Sequence, residues 1–337
     1  MEPADALDQI AYLLETQLAE SYKVKAFRNA AQAIRGLDPS ELRRLAKAGK
    51  LSTLSGVGKT TAEVAQQAIE GEEPTYLTHL LAEKKPALKG KVAALRKLLK
   101  GDCHSHSNWS DGGSPIDVMA DAARELGHQY WALTDHSARL TVAHGLDAER
   151  LRRQLTEVAK LNEEMAPFRI LTGMEVDILE DGSLDQDEGL LAQLDVVVAS
   201  VHSKLRMESD QMTARMLSAI ENPNTDILGH CTGRKLVGRG RPESTFDHEA
   251  IMKACARTGT AVEINSRPER LDPPEDLLRL AVEQGCMFSI DTDAHAPGQL
   301  EWQSNGCEMA VAAGVPNDRV VNSWSLKDFL AWTSGKD

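Results

Sequence analysis

No run in this sequence approaches the roughly 18 consecutive apolar residues that a membrane span requires, so no membrane partner is expected. Cysteine is scarce: Cys103, Cys231, Cys255, Cys286 and Cys307 are odd in number, scattered, and never spaced as Cys-x-x-Cys. That pattern fits reduced, buried thiols and excludes a disulfide framework. The opening stretch, MEPADALDQIAYLLETQLAE, carries acids where a secretion signal carries its basic region, so export is not expected and a cytoplasmic location is. No repeat or low-complexity tract interrupts the chain. With 42% apolar and 26% charged residues, the 337-residue chain reads as globular. Its length allows one domain of about 200 to 250 residues and a smaller one.

The net charge of −13 is unevenly spread. Residues 1–100 hold 16 Lys and Arg against 12 Asp and Glu, a net +4; the remaining 237 hold 22 against 39, a net −17. Only the N-terminal third is electrostatically suited to nucleic acid. Acids that bind cations, however, no longer repel a polyanion once loaded.

Residues 1–75 read as a small all-α domain. Ala6, Ile10, Leu13, Leu14 and Leu18 keep helical spacing, Lys25 to Ile34 form an Ala-rich second segment, and Asp38-Pro39-Ser40 breaks it. LSTLSGVGKTTAEVAQQAI at 51–69 then sets a Gly-x-Gly turn between two helical patterns. Residues 76–100 read as a charged linker helix. From Gly101 to the end the texture changes. Short apolar runs at 130–134, 170–178, 196–201, 226–229, 261–264 and 287–290 alternate with helical patterns at 115–126, 148–165, 212–220, 248–257 and 275–283. Such alternation predicts an α/β domain of parallel strands with crossover helices, closed as a barrel.

The chemistry is written at the strand ends. His104 and His106 (CHSHS), Asp111 (WSDG), His136 (LTDH), Glu175 (GMEVD), His202 (SVHS), His230 (ILGH), and Asp293 with His295 (DTDAH) all follow apolar runs. In a βα barrel the C-terminal strand ends converge on one face. His-x-His and Asp-x-His place both side chains on one side of an extended segment. Imidazole and carboxylate ligands without sulfur suit Zn, Mn or Fe. Six histidines and three acids exceed one tetrahedral site, so two or three divalent ions are expected. Cys103 and Cys231 neighbour ligands but should point away.

In this order, DCHSHSNWSDG, ALTDHS, GMEVD, SVHS, DILGH and DTDAH resemble the metal motifs of the polymerase and histidinol phosphatase (PHP) superfamily, over roughly residues 101–314. The resemblance implies a distorted (β/α)7 TIM-like barrel with a trinuclear site. His104, His106, Glu175 and Asp293 would bind one ion, and Glu175 would bridge to a second held by His202 and His230. Asp111, His136 and His295 would bind the third; Asp111 stands where some relatives carry His. Within that superfamily, TDHSARLTVAHGLDAERL and EINSRPERLD are most similar to the C-terminal PHP domain of bacterial family X DNA polymerases, implicated in 3′–5′ exonuclease and 3′-end phosphatase chemistry. Asn265-Ser266 replaces the usual Asn-Ala pair.

KAFRNAAQAIRGL and LSGVGKTTAEVAQQAI resemble the helix-hairpin-helix of the same polymerases' N-terminal domain. Gly56 and Gly58 would turn backbone amides towards a DNA phosphate, with Lys59 adding charge. Lys23, Lys25 and Arg28 match that domain's 5′-phosphate-binding region. The lysine that lyases of the family use falls at Val64, so lyase activity is not expected. The stretch between this hairpin and His104 is too short for a polymerase core.

The function expected is metal-dependent phosphoester hydrolysis, as a DNA 3′–5′ exonuclease or 3′-end phosphatase. Glu175, His202 and His106 would support a metal-bridging hydroxide, formed because metal binding lowers the pKa of water towards about 7. Arg139, Lys204, Arg267 and Arg270 follow strand ends and are candidate phosphate ligands. Two alternatives are a small-molecule phosphomonoesterase of the histidinol-phosphatase type and a non-catalytic DNA-binding adaptor.

Overall fold

The computed structural model describes residues 1–83 and 86–335. Residues 84–85 of the expected linker and 336–337 of the expected barrel domain lie outside the described residues. The chain divides into two compact units, Met1–Ala87 and Leu88–Asp337.

The first unit is all helical: α1 Pro3–Thr16, α2 Ser21–Arg35, α3 Pro39–Lys47, α4 Lys59–Ile69 and α5 Thr75–Ala82. Leu7, Ile10 and Leu14 of α1 pack with Phe27, Ala31 and Ile34 of α2 and Val64 and Ala65 of α4 in one core. Leu18 falls beyond the end of α1, in left-handed backbone (φ 55°). Asp38 not only breaks α2 from α3 but caps α3, accepting the Ser40 N–H at 2.8 Å. The stretch 76–100, expected as one linker helix, holds two helices instead. α5 buries Leu77 and Leu80 in the first unit's core. Helix α6, Gly90–Leu98, buries Leu95 in the second unit's core. These leucines each gain more from burial than the surrounding lysines lose, so the charged texture misled.

The second unit runs α6, α7 Ile116–Glu125, β1 Tyr130–Leu133, α8 Ala148–Met165, β2 Arg169–Asp177, α9 Glu188–Leu191, β3 Val196–Ser200, α10 Ser209–Ile220, β4 Ile227–Leu228, α11 His248–Thr258, β5 Ala261–Asn265, α12 Glu275–Gln284, β6 Phe288–Asp291, α13 Gln303–Ala313 and α14 Leu326–Thr333. All strand pairs are parallel and the sheet order is sequential, β1 to β6. Alternation sorts the strand residues. Met174, Val176, Val197, Ala199, Leu228, Val262, Ile264, Phe288 and Ile290 share the larger core with the helices. Tyr130, Ala132, Leu171, Val196, Val198, Ile227 and Ala261 form a separate core on the opposite face, with Phe329 of α14. The strands read as unbroken apolar runs because both faces are covered.

The seventh strand position is taken by an irregular segment around 100–106. On one side, Ala132 N donates to Asp102 O and Thr134 N to Ser105 O, each at 2.9 Å; on the other, Asp293 N donates to His104 O (2.9 Å) and His106 N to Ala294 O (2.8 Å). The segment thus joins β1 to the end of β6 and closes the distorted barrel. It departs from a regular strand because side chains replace ladder partners. Asp102 Oδ1 accepts the His104 and Thr292 N–H groups, and Asp291 Oδ1 accepts that of Cys103. Burial pushes the Asp102 carboxyl up to about 6, against the hydrogen bonds from Thr292 and His104. Among the described residues no helix is long and apolar enough to cross a membrane.

Candidate metal centre

The barrel's C-terminal rim gathers all nine expected imidazole and carboxylate residues into one connected group. Glu175, from the last turn of the β2 ladder, is its hub. Its Oε2 lies 3.3 Å from His104 Nε2, 3.6 Å from His106 Nε2 and 2.8 Å from His136 Nδ1. Its Oε1 lies 2.9 Å from His230 Nε2 and 3.2 Å from His202 Nε2. Asp293 Oδ1 approaches His106 Nε2 at 3.5 Å. At the mouth, Asp111 Oδ1 lies 3.3 Å from His295 Nε2 and 3.6 Å from His136 Nε2. Depth is graded: His104, His106, Glu175 and Asp293 are buried, whereas Asp111 is exposed.

Three sets of ligand atoms lie close enough to surround a cation: His104, His106 and Glu175; His136, Glu175 and His202; and His106, Asp111, His136 and His295. The donor set fits a divalent metal on a further ground. His104 Nε2, His106 Nε2 and His202 Nε2 are buried yet make no hydrogen bond. They stand 3.2–3.6 Å from Glu175 oxygens without a hydrogen bond, whereas buried imidazole nitrogens are otherwise paired. Cations in the first two of these sets would satisfy all three. His136 faces both Glu175 and Asp111 through its two nitrogens, so it belongs to two sets rather than to the mouth alone.

The electrostatics of the group follow from burial and this one carboxylate. Burial would lower the His202 imidazolium, but Glu175 and Asp177 carry it up to about 9. Burial likewise opposes the charged form of His104, which Glu263 and Glu175 raise well above the usual histidine range. Burial, with His295 and His136, holds His106 well below that range, and burial with Arg270 lowers His230. Despite burial, Glu175 and Asp293 stay far below the usual carboxylate range, Glu175 through His104 and His202, Asp293 chiefly through Arg270. His106 and His230 therefore offer lone pairs directly, while an entering cation displaces protons from His104 and His202.

The four candidate phosphate ligands divide. Arg270 Nε donates to Asp293 Oδ2 at 3.0 Å, and its buried Nη1 makes no hydrogen bond. Arg267 Nη1 reaches Asp293 O at 2.8 Å and His295 Nδ1 at 3.0 Å. Both border the metal group. Arg139 and Lys204 are exposed and face Asp185 and Glu180 at 3.5 and 3.9 Å; the structure does not bring them to the nine. In the helical unit Lys23, Lys25, Gly56, Gly58 and Lys59 are exposed. Gly56 has φ +84°, and Gly58 donates its N–H to Thr61 Oγ1 at 2.9 Å. Arg28 is otherwise engaged: it pairs with Glu15 at 3.0 Å and Asp8 at 3.0 Å, because a half-buried guanidinium takes the nearest carboxylates. Val64 is buried in the helical core. All five cysteines are buried and free; Cys103 and Cys231 lie in apolar clusters and in none of the three ligand sets.

A second layer escaped the sequence reading. His104 Nδ1 donates to Glu263 Oε1 at 2.6 Å, and His202 Nδ1 lies 3.3 Å from Asp177 Oδ1. Asp135, beside His136, accepts from Ser107, Ser110 and Gln154 and so shapes the 107–111 loop instead of joining the nine. The available signal was an acid embedded in an apolar run, as in AVEIN and MEVD.

Residues 102–267 match the PHP domain family, and residues 1–74 match a helix-hairpin-helix domain. The chain joins a helix-hairpin-helix domain to a PHP domain. It is 43% identical over 239 residues to the DNA polymerase/3′–5′ exonuclease PolX of Bacillus subtilis, which spans 71% of this chain but 42% of that protein. A probable phosphatase of Thermoanaerobacter sp. is 29% identical over 244 residues, 68% of this chain and 93% of the relative. Among solved structures, the histidinol phosphate phosphatase of Lactococcus lactis, complexed with zinc, L-histidinol and phosphate, matches this chain with a TM-score of 0.47 and 19% identity. That match covers 64% of this chain and 94% of the other.

Proposed function

We propose that this PHP-domain protein is a hydrolase of phosphoester bonds that processes DNA 3′ ends, as a 3′–5′ exonuclease or 3′-end phosphatase. The observation that carries the reading is the group of buried, unbonded imidazole nitrogens around Glu175. Likeness to PolX supports the DNA substrate, and likeness to probable phosphatases supports the reaction class. Two or three divalent ions, Zn, Mn or Fe, would supply Lewis acidity and an activated water.

The protein's own groups set the geometry. Glu175, His202 and His106 are the proposed catalytic residues and would hold the cations at the barrel's C-terminal rim. Asp111 and His295 hold the mouth, where the scissile phosphate enters. Arg270 Nη1 and Arg267 grip the phosphate's oxygens, charge-assisted hydrogen bonds that strengthen as negative charge builds on the phosphoryl group. The exposed Lys23, Lys25 and Lys59, with the turn amide at Gly56, bind the DNA backbone; the Gly58 N–H, expected to join them, is taken by Thr61 Oγ1.

The test follows 3′-labelled single-stranded DNA beside a panel of phosphomonoesters. Chelation should abolish hydrolysis of both, and Glu175→Ala should do the same. Replacing Lys23, Lys25 and Lys59 together with Glu should weaken DNA turnover at least tenfold and leave the phosphomonoesters unaffected. If the panel turns over far faster than DNA and the triple variant changes nothing, the protein is a small-molecule phosphatase. A folded, metal-free protein with full activity sinks the mechanism.

A further inference from the structure

Glu263 stands in β5 as the one acid of a strand whose neighbours, Val262 and Ile264, pack into the apolar core. It is wholly buried, and a buried carboxylate persists only where donors satisfy it. Its two oxygens serve two different ligands. Oε1 takes the His104 Nδ1–H at 2.6 Å. Oε2 takes the backbone N–H of His230. Asn265 Nδ2 donates to the same Oε2 at 3.3 Å and to Asp293 Oδ2 at 3.3 Å, tying the carboxylate to a third ligand.

We propose that Glu263 is a positioning residue that couples two cation sites through one buried carboxylate. The inference rests on the metal-centre reading above. Opposite a carboxylate, His104 Nδ1 keeps its proton, which makes Nε2, facing Glu175 Oε2, the nitrogen that would release its proton and offer a lone pair to an entering cation. The same carboxylate pins the backbone at His230, which has a positive φ of 21° that a β-carbon disfavours. Released, that backbone would relax and carry His230 Nε2 away from Glu175 Oε1. One side chain thus fixes the tautomer of a ligand on one side of Glu175 and the placement of a ligand on the other.

Glutamine has the shape of glutamate but one acceptor oxygen. Its amide must turn an NH2 towards either His104 or the His230 N–H. Facing His104, it forces the proton to Nε2 and removes the lone pair; facing His230, it sets donor against donor. Glu263→Gln in the full chain, equilibrated with buffered free Zn²⁺, should bind two of the ions 10- to 100-fold more weakly by elemental analysis. The visible spectrum of the Co²⁺-substituted protein should change with it. The chelated variant should melt within a few degrees of chelated wild type, and raising free Zn²⁺ should restore ion count and hydrolysis together. Should Glu263→Gln fail to fold, Glu263→Asp, which withdraws the carboxylate by one methylene, is expected to weaken the same two ions. Unchanged occupancy in the folded variant overturns the inference, as does loss of a single ion, or an equal loss of melting temperature with and without zinc. Wild-type protein that takes up no zinc instead overturns the metal-centre reading beneath it.

Discussion

Glu175→Gln offers a test of the site that needs no substrate. In metal-free protein the Glu175 carboxylate is the main cause holding the proton on buried His202, with Asp177 second, lifting it from the ordinary 6.5 to about 9. A shift of that size corresponds to roughly 3 kcal/mol of folding stability, of which Glu175 carries most. Because the folded pKa is raised, this stability is fully present below pH 6.5 and disappears as pH rises through about 9. His104 is shifted the same way, so it adds to the same slope. The depressed Glu175 carboxyl is the same interaction seen from its partner and is not counted again. Chelated wild type should therefore lose on the order of 3 kcal/mol between pH 6 and pH 10. Glu175→Gln should be less stable than wild type by about 2 kcal/mol or more at pH 6. At pH 10, where wild type keeps a buried carboxylate facing neutral imidazoles, the variant should be as stable or more so. Urea unfolding followed by tryptophan fluorescence reads this cleanly, since Trp109, Trp131, Trp302, Trp324 and Trp332 all lie in the barrel unit. An equal deficit at both pH values would refute the assignment of Glu175 as the anion of the group.

Arg270→Lys keeps a charge beside Asp293 but loses the second fork of the guanidinium. The kcat/KM for a phosphomonoester should fall about tenfold, with part of the loss in kcat because the contact strengthens in the transition state, and an unchanged kcat/KM would argue against phosphate contact. Phe329→Ala empties an apolar site against Tyr130, whose ring centroid is 5.3 Å away. It should cost the barrel unit about 3–5 kcal/mol in urea titrations while leaving ion count intact. Gly56→Ala places a β-carbon at φ +84°. It should destabilise the helical unit by about 1–2 kcal/mol and weaken single-stranded DNA binding, with no effect on phosphomonoester turnover.

The primary sequence determined the alternation of elements and the nature of the site. Strand and helix periods are local, so Val196–Ser200 and Ala148–Met165 emerge within a residue of where their apolar patterns place them. An imidazole or carboxylate in or after most of the apolar runs is also a local signal, and the barrel's topology brings the nine together in one cluster. Side-chain commitments made across sequence distances were decided by tertiary structure alone. Arg28 is taken up by Glu15 and Asp8, on another helix. Arg139 and Lys204 sit outward against acids, while Arg270, similar to them in sequence context, turns inward to Asp293. Nothing in the string AVEIN says that its glutamate meets His104, 159 positions away. Such a pairing exists only once the strands have closed into a barrel, because burial leaves each polar atom to find whatever partner the fold brings within 3 Å or so.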